Sequence, residues 1–151
     1  MSNGFKSGFV SIIGGPNVGK STLLNQLIGE KLAIISPKPQ TTRNRILAVK
    51  TNPGFQMIFL DTPGIHQARG HLNLAMVRTA LATLATVDLI LFLVEAHSPE
   101  SKSNQRVLEA LQDVETQTLL VVNKIDLVSA ESLAPIVEHF QSLHQFKGSA
   151  L

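Results

Sequence analysis

The 151-residue sequence has no cysteine, tryptophan or tyrosine, and aromatic residues make up only 5% of it. Without cysteine there are no disulfides and no thiolate metal sites, which suits a reducing compartment such as the cytosol. The shortage of aromatics argues against a surface that stacks single-stranded bases. Long apolar runs are missing too. The strongest, Leu89 to Val94, falls far short of a membrane span, and the single lysine ahead of the brief "FVSII" does not make a signal peptide. The net charge is only +2, so no domain-wide basic field predicts nucleic-acid binding by itself.

What is present is a globular balance, 44% hydrophobic and 16% charged, in a length suited to one domain with a sizeable core. Phe9 to Ile13 reads as a strand feeding a glycine-rich loop, and Leu23, Leu24, Leu27 and Ile28 follow at helical spacing up to Gly29. Arg45 to Lys50 and Phe55 to Leu60 read as strands two and three, paired as a hairpin across "TNPG". Residues His71 to Val87 read as a helix. The continuous apolar run "DLILFLVEA" that follows suits a strand buried on both faces. Lys102 to Val114 is helical, Thr118 to Val122 is a fifth strand, and Glu131 to Phe146 is helical again. This alternation predicts a doubly wound α/β fold, a three-layer sandwich whose mostly parallel sheet carries one antiparallel hairpin strand.

In such sheets ligands bind beyond the carboxyl ends of the strands, and three motifs fall there. Gly14, Gly19, Lys20 and Ser21 satisfy G-x-x-x-x-G-K-[ST] between a strand and a helix. Backbone N–H groups of the loop and the positive end of the helix make an anion cradle. Lys20 reaches β and γ phosphates there, and the Ser21 hydroxyl takes a coordination position on Mg²⁺. In "DTPG", Asp61 ends strand three, where a carboxylate can hold Mg²⁺ directly or through water, and Gly64 lets its N–H approach the γ-phosphate. In "NKID", the Asp126 carboxylate matches the paired donors of guanine that adenine lacks. Asn123 donates to the base or braces neighbouring loops, and the Lys124 stem lies along the base plane.

The polar, proline-broken stretch "SPKPQTTRNR", Ser36 to Arg45, reads as a loop in which Thr41 or Thr42 gives a hydroxyl to Mg²⁺ and an N–H to the γ-phosphate. The five histidines show no metal-ligand spacing, and His66 and His71 read as exposed polar residues. Asp88, Glu95 and the remaining carboxylates offer no paired acid and base.

Together "GGPNVGKST", "PKPQTTRNR", "DTPGIH" and "NKIDLV", in that order along essentially the whole chain, resemble the translation-factor-related GTPases and, through "PQTTR", the bacterial Era family. The resemblance implies that Gly15, Pro16, Asn17, Val18, Gly19, Lys20, Ser21 and Thr22, with Asp61 and Gly64, bind the phosphates. It assigns Mg²⁺ to Ser21, Thr42 and Asp61, and guanine recognition to Asn123, Lys124 and Asp126. It implies GTP hydrolysis by Lys20, Thr42, Gly64 and Asn17 in a P-loop nucleotide switch of ribosome biogenesis. Era-like proteins are cytoplasmic, with peripheral association at the inner cell membrane, and act on small-subunit ribosomal RNA and the 30S subunit. They contact that RNA through a KH domain, which residues 1–151 do not include. The expectation is therefore a GTP-binding domain cut short, and a monomer.

Where Ras-like GTPases place a water-orienting glutamine, this chain has Ile65. Asn17 is the candidate to supply the missing charge by holding K⁺ beside the phosphates, as a similar loop asparagine does in other GTPases. The family's last base-contacting loop carries Ser-Ala, matched by Ser149 and Ala150, yet only Lys147 and Gly148 separate these from a helix ending at Phe146. Two residues span about 7 Å, against roughly 17 Å for a returning strand. Either the helix stops early and "LHQFK" is the strand, or residues are missing before Gly148 and the sixth strand and last helix are absent. Two rival readings remain: a GTP/GDP-binding fragment with negligible catalysis or a different translation-factor-related GTPase, and a P-loop ATPase, against which "NKID" argues.

Overall fold

The computed structural model describes residues 4–29, 46–60 and 85–151. Among them, the apolar runs form one six-stranded sheet of β1 (Lys6–Ile13), β2 (Ile46–Asn52), β3 (Phe55–Leu60), β4 (Leu89–Glu95), β5 (Thr118–Asn123) and β6 (Gly148–Ala150). The strand order is β2-β3-β1-β4-β5-β6. Among the described residues three α-helices accompany it: α1 (Lys20–Ile28), α2 (Lys102–Leu111) and α3 (Ala130–Leu143). Pro53 and Gly54 make the turn that pairs β2 with β3 antiparallel, Gly54 with φ +91°, a value glycine adopts without steric cost. Every other pairing is parallel.

Alternate residues of each strand face opposite layers. Val10, Ile12, Phe59, Leu91 and Leu93 pack with Leu24 of α1 on one face. Ile13, Leu60, Ile90, Phe92 and Val94 pack with Val107, Leu108 and Leu111 of α2 and Ile136 and Phe140 of α3 on the other. The expected three layers are thus in place. Strand β4 is central, and Ile90 to Val94 are all buried, which is why its sequence does not alternate. The parallel register aligns the ends of β4 and β5, Glu95 beside Asn123, at the edge where β1 opens into the glycine loop.

The helix expected over His71–Val87 lies mostly outside the described residues, and Ala85 to Val87 form a turn into β4 instead. Of the two alternatives for the end of the chain, the one without a sixth strand is overturned: Gly148–Ala150 pair parallel with Leu119 to Val121 of β5. Helix α3 stops at Leu143, three residues before the expected end, and His144 turns extended at φ −155°. Residues His144 to Lys147 then cross back, reaching about 13 Å in extended form, and Lys147 N donates to Thr118 O at 2.8 Å to start the pairing. Leu143 therefore closes the helix, "HQFK" is the return crossing, and the strand is the "GSA" that follows it.

Candidate functional site

The glycine loop joins β1 to α1. Two of its residues take left-handed backbone, Asn17 at φ +61° and Gly19 at φ +103°. At Gly19 a side chain is strained by the backbone conformation, and its Cβ would run into Asn123 Nδ2 and force it aside. Gly19 also caps α1 without a side-chain hydrogen bond, and the first turn carries no acidic residue. The first N–H groups of the helix have no intrahelical acceptors, so the loop presents unneutralised positive dipole.

Lys20 curls back across the loop. Its Nζ donates to Gly14 O at 3.0 Å and Gly15 O at 2.7 Å. Burial lowers its pKa from 10.5 to about 8, because the ammonium has lost much of its hydration. A phosphate placed there would restore the lost stabilisation of the charge. Ser21 and Thr22 are exposed on the first turn of α1, Val18 is buried beneath the loop, and Pro16 and Asn17 are exposed at its tip.

The loop after β5 is bound to this cradle through two side chains. Asn123 Nδ2 donates to Val18 O at 2.8 Å, and Lys124 Nζ donates to Asn17 O at 2.8 Å. Lys124 itself is left-handed at φ +56°, which turns the chain into the short 3₁₀ turn Ile125–Leu127 and leaves Asp126 exposed. The residues predicted to read the base and those predicted to hold phosphates, more than a hundred positions apart in sequence, thus form one unit.

Glu95 is the residue that sequence reasoning missed. Its carboxylate pairs with Lys124 Nζ, while its other oxygen lies 3.5 Å from His97 Nε2. The β4–β5 register that brings it there is not a local signal.

Ser149 and Ala150 lie in β6, opposite Leu120 and Val121 and toward the same edge of the sheet as Asn123. Thr41, Thr42, Asp61, Gly64, Ile65, His66 and His71 lie outside the described residues. Of the oxygen donors expected for Mg²⁺, the structure places Ser21, whose exposed hydroxyl beside Lys20 is the hard donor that Mg²⁺ accepts. Among the described residues no group of three or more His, Asp or Glu forms a metal site. That donor set fits an ion held largely by a substrate's phosphates.

A family model described as a 50S ribosome-binding GTPase matches residues 9–124. The chain is 52% identical over 143 residues to the GTPase Era of Geotalea uraniireducens, covering 95% of this chain and 48% of that protein. It is 49% identical over 145 residues to the GTPase Era of Geobacter metallireducens, covering 96% and 49%. The chain therefore spans about half the length of these curated relatives. Among solved structures, an Era in complex with MgGDPNP and nucleotides 1506–1542 of 16S ribosomal RNA superposes with a TM-score of 0.71. It is 37% identical, with 97% of this chain and 50% of that one covered. A variant Era of Aquifex aeolicus bound to GDP and AlF₄⁻ gives 0.69 at 37% identity, covering 96% and 50%. With the matched segment running from β1 through the glycine loop to Lys124, the chain belongs to this GTPase family.

Proposed function

We propose that residues 1–151 are a GTP-binding domain that holds GTP and GDP and hydrolyses GTP to GDP and phosphate. The observation that carries this is the pair of bonds from Asn123 to Val18 O and from Lys124 to Asn17 O. Through them a carboxylate suited to guanine and a cradle suited to phosphates are fixed in one frame. In that frame Asp126 accepts the ring N–H and exocyclic amine of guanine, and a base without those donors leaves the carboxylate unpaired. Lys20 and the N–H groups opening α1 hold the β and γ phosphates and stabilise charge that grows on them as the terminal bond breaks.

Mg²⁺, with Ser21, Thr42 and Asp61 as its protein oxygen donors, would supply further neutralisation of the phosphate oxygens. Asn17 is exposed at the loop tip with its carbonyl already engaged by Lys124, so its side-chain amide remains for a K⁺ ion beside the phosphates. Thr42 and Gly64 complete the proposed γ-phosphate contacts.

Two solved Era structures support this reading: one holds MgGDPNP and 16S ribosomal RNA, the other GDP with AlF₄⁻. From that likeness we propose that the domain acts as a nucleotide switch in small-subunit ribosome assembly, with the 30S subunit as partner. Cytoplasmic location, peripheral association with the inner membrane and a monomeric state rest on the resemblance alone. Among the described residues no helix is long and apolar enough to cross a membrane.

Asp126→Asn tests the base assignment. Its amide offers a donor suited to the extra carbonyl of xanthine, so binding should move from guanine to xanthine nucleotides; unchanged guanine preference removes Asp126 from the pocket. Single-turnover phosphate release, in potassium and in sodium at equal ionic strength, distinguishes a hydrolase from a binding fragment and tests the role of Asn17.

A further inference from the structure

We propose that Glu95 is a positioning residue of the nucleotide site: its carboxylate anchors the Lys124 ammonium, and through it the Asn17 carbonyl of the phosphate loop. The inference rests on the nucleotide-binding reading above and adds a residue that belongs to none of the three motifs. Glu95 ends β4, paired in register with Asn123, and Ala96 N donates to Asn123 O at 2.9 Å, so the two strand ends move as one. The Glu95 side chain is only 18% exposed. A carboxylate so far removed from water needs a charged or hydrogen-bonded partner, and Lys124 Nζ is that partner, with His97 beside the second oxygen.

The ammonium makes two contacts, to Glu95 Oε1 and to Asn17 O. Lysine is a point charge on a flexible four-carbon stem, and one carbonyl alone fixes it poorly. The two residues joined by this lysine, Lys124 and Asn17, are the described non-glycine residues with positive φ. Such backbone persists where the surroundings hold it. Glu95 supplies the fixed charge of that clamp, and among the described residues it is the carboxylate paired with Lys124. Holding Lys124 in place keeps its stem against the base plane and the loop tip in its left-handed turn, both of which retain bound nucleotide.

The test is the release of fluorescent mant-GDP chased with excess GDP. Glu95→Gln keeps shape and removes charge, and should speed release about tenfold, the scale of a lost charge-assisted hydrogen bond. Glu95→Asp keeps the charge one methylene short and should speed it only about threefold. In a Lys124→Met background neither change should add more than about twofold, because the group through which Glu95 acts is gone.

Glu95→Gln within twofold of wild type overturns the proposal. So does equal release from the Gln and Asp variants, or an undiminished Glu95 effect without Lys124. Should Glu95→Gln not fold, Glu95→Asp decides alone: faster release with Lys124 present and not without it upholds the proposal, and any other pattern overturns it. Failure of the wild-type protein to bind mant-GDP would instead refute the nucleotide-binding reading itself.

Discussion

Asn123, the last residue of β5, donates from Nδ2 to the carbonyl of Val18 at 2.8 Å across 105 positions of sequence. One amide thus joins the loop predicted to read the base to the loop predicted to hold the phosphates. Asn123→Ala leaves the Val18 carbonyl without its partner and frees the two loops to drift apart. The expected cost is about tenfold in GDP affinity, the worth of one part-buried hydrogen bond. A fluorescence titration with mant-GDP measures it, and an unchanged Kd would show that the bond does not brace the pocket.

Gly19, the next residue after Val18, lies against the same amide nitrogen. Its φ of +103° is one that residues with a Cβ rarely adopt, and a Cβ there would meet Asn123 Nδ2. Gly19→Ala therefore strains the backbone by roughly 1–3 kcal/mol and pushes Asn123 off Val18. Urea unfolding should register the lost stability, and GDP binding should weaken more than in Asn123→Ala because the phosphate loop itself is deformed. A Gly19→Ala protein with wild-type affinity would contradict the close approach seen here.

Lys20 makes binding and stability depend on pH in opposite senses. Its pKa is lowered by burial to about 8, against 10.5 for a free lysine. Between those values the unfolded chain carries the proton and the folded one does not, so this group makes stability rise with pH from about 8 to about 10.5. Below 8 both states are protonated and its contribution is flat. A bound polyphosphate favours the ammonium, so above pH 8 GDP binding must take up a proton and affinity must fall. Calorimetry at pH 8.5 in two buffers of different ionisation heat should show this uptake. Lys20→Met should abolish both the uptake and most of the affinity.

The sequence revealed β3 to the residue and placed β4 and β5 within one residue at each end, because those strands are bounded by turns and buried runs with no rival pattern. The end of α3 misled for a physical reason. Phe140 and Phe146 both pack on Phe92, the first edge-on at 6.0 Å from α3 and the second stacked at 6.2 Å from the extended crossing. Apolar residues continue past Leu143 with no glycine or proline before Gly148 to mark the helix end, although Phe146 is reached by extended chain. His144 and Phe146, in contact at 4.8 Å, show the period-two spacing of that crossing. The strand that carries Ser149 and Ala150 was equally hard to foresee, because its place depends on the register with β5. Glu95 was invisible because its partner is 29 residues away and is delivered by strand pairing alone.

The aromatic cluster also locates the stability of the half of the sheet that carries Asn123 and Lys124. Phe140 is fully buried, and its removal leaves a hole between α3 and β4 that Phe92 and Phe146 cannot fill without losing their own contacts. Phe140→Ala should cost about 3–5 kcal/mol, a large part of the roughly 5–15 kcal/mol that holds a domain folded. The melting temperature should fall by about 10 °C. Because the site lies at the far end of the strands that Phe140 supports, the damage is to the folded population and not to the pocket. GDP at a hundredfold excess over Kd should then return about 2.7 kcal/mol by mass action. Thermal melts of the variant with and without GDP measure both effects, and a variant that melts within about 2 °C of wild type would show that the core does not depend on this ring.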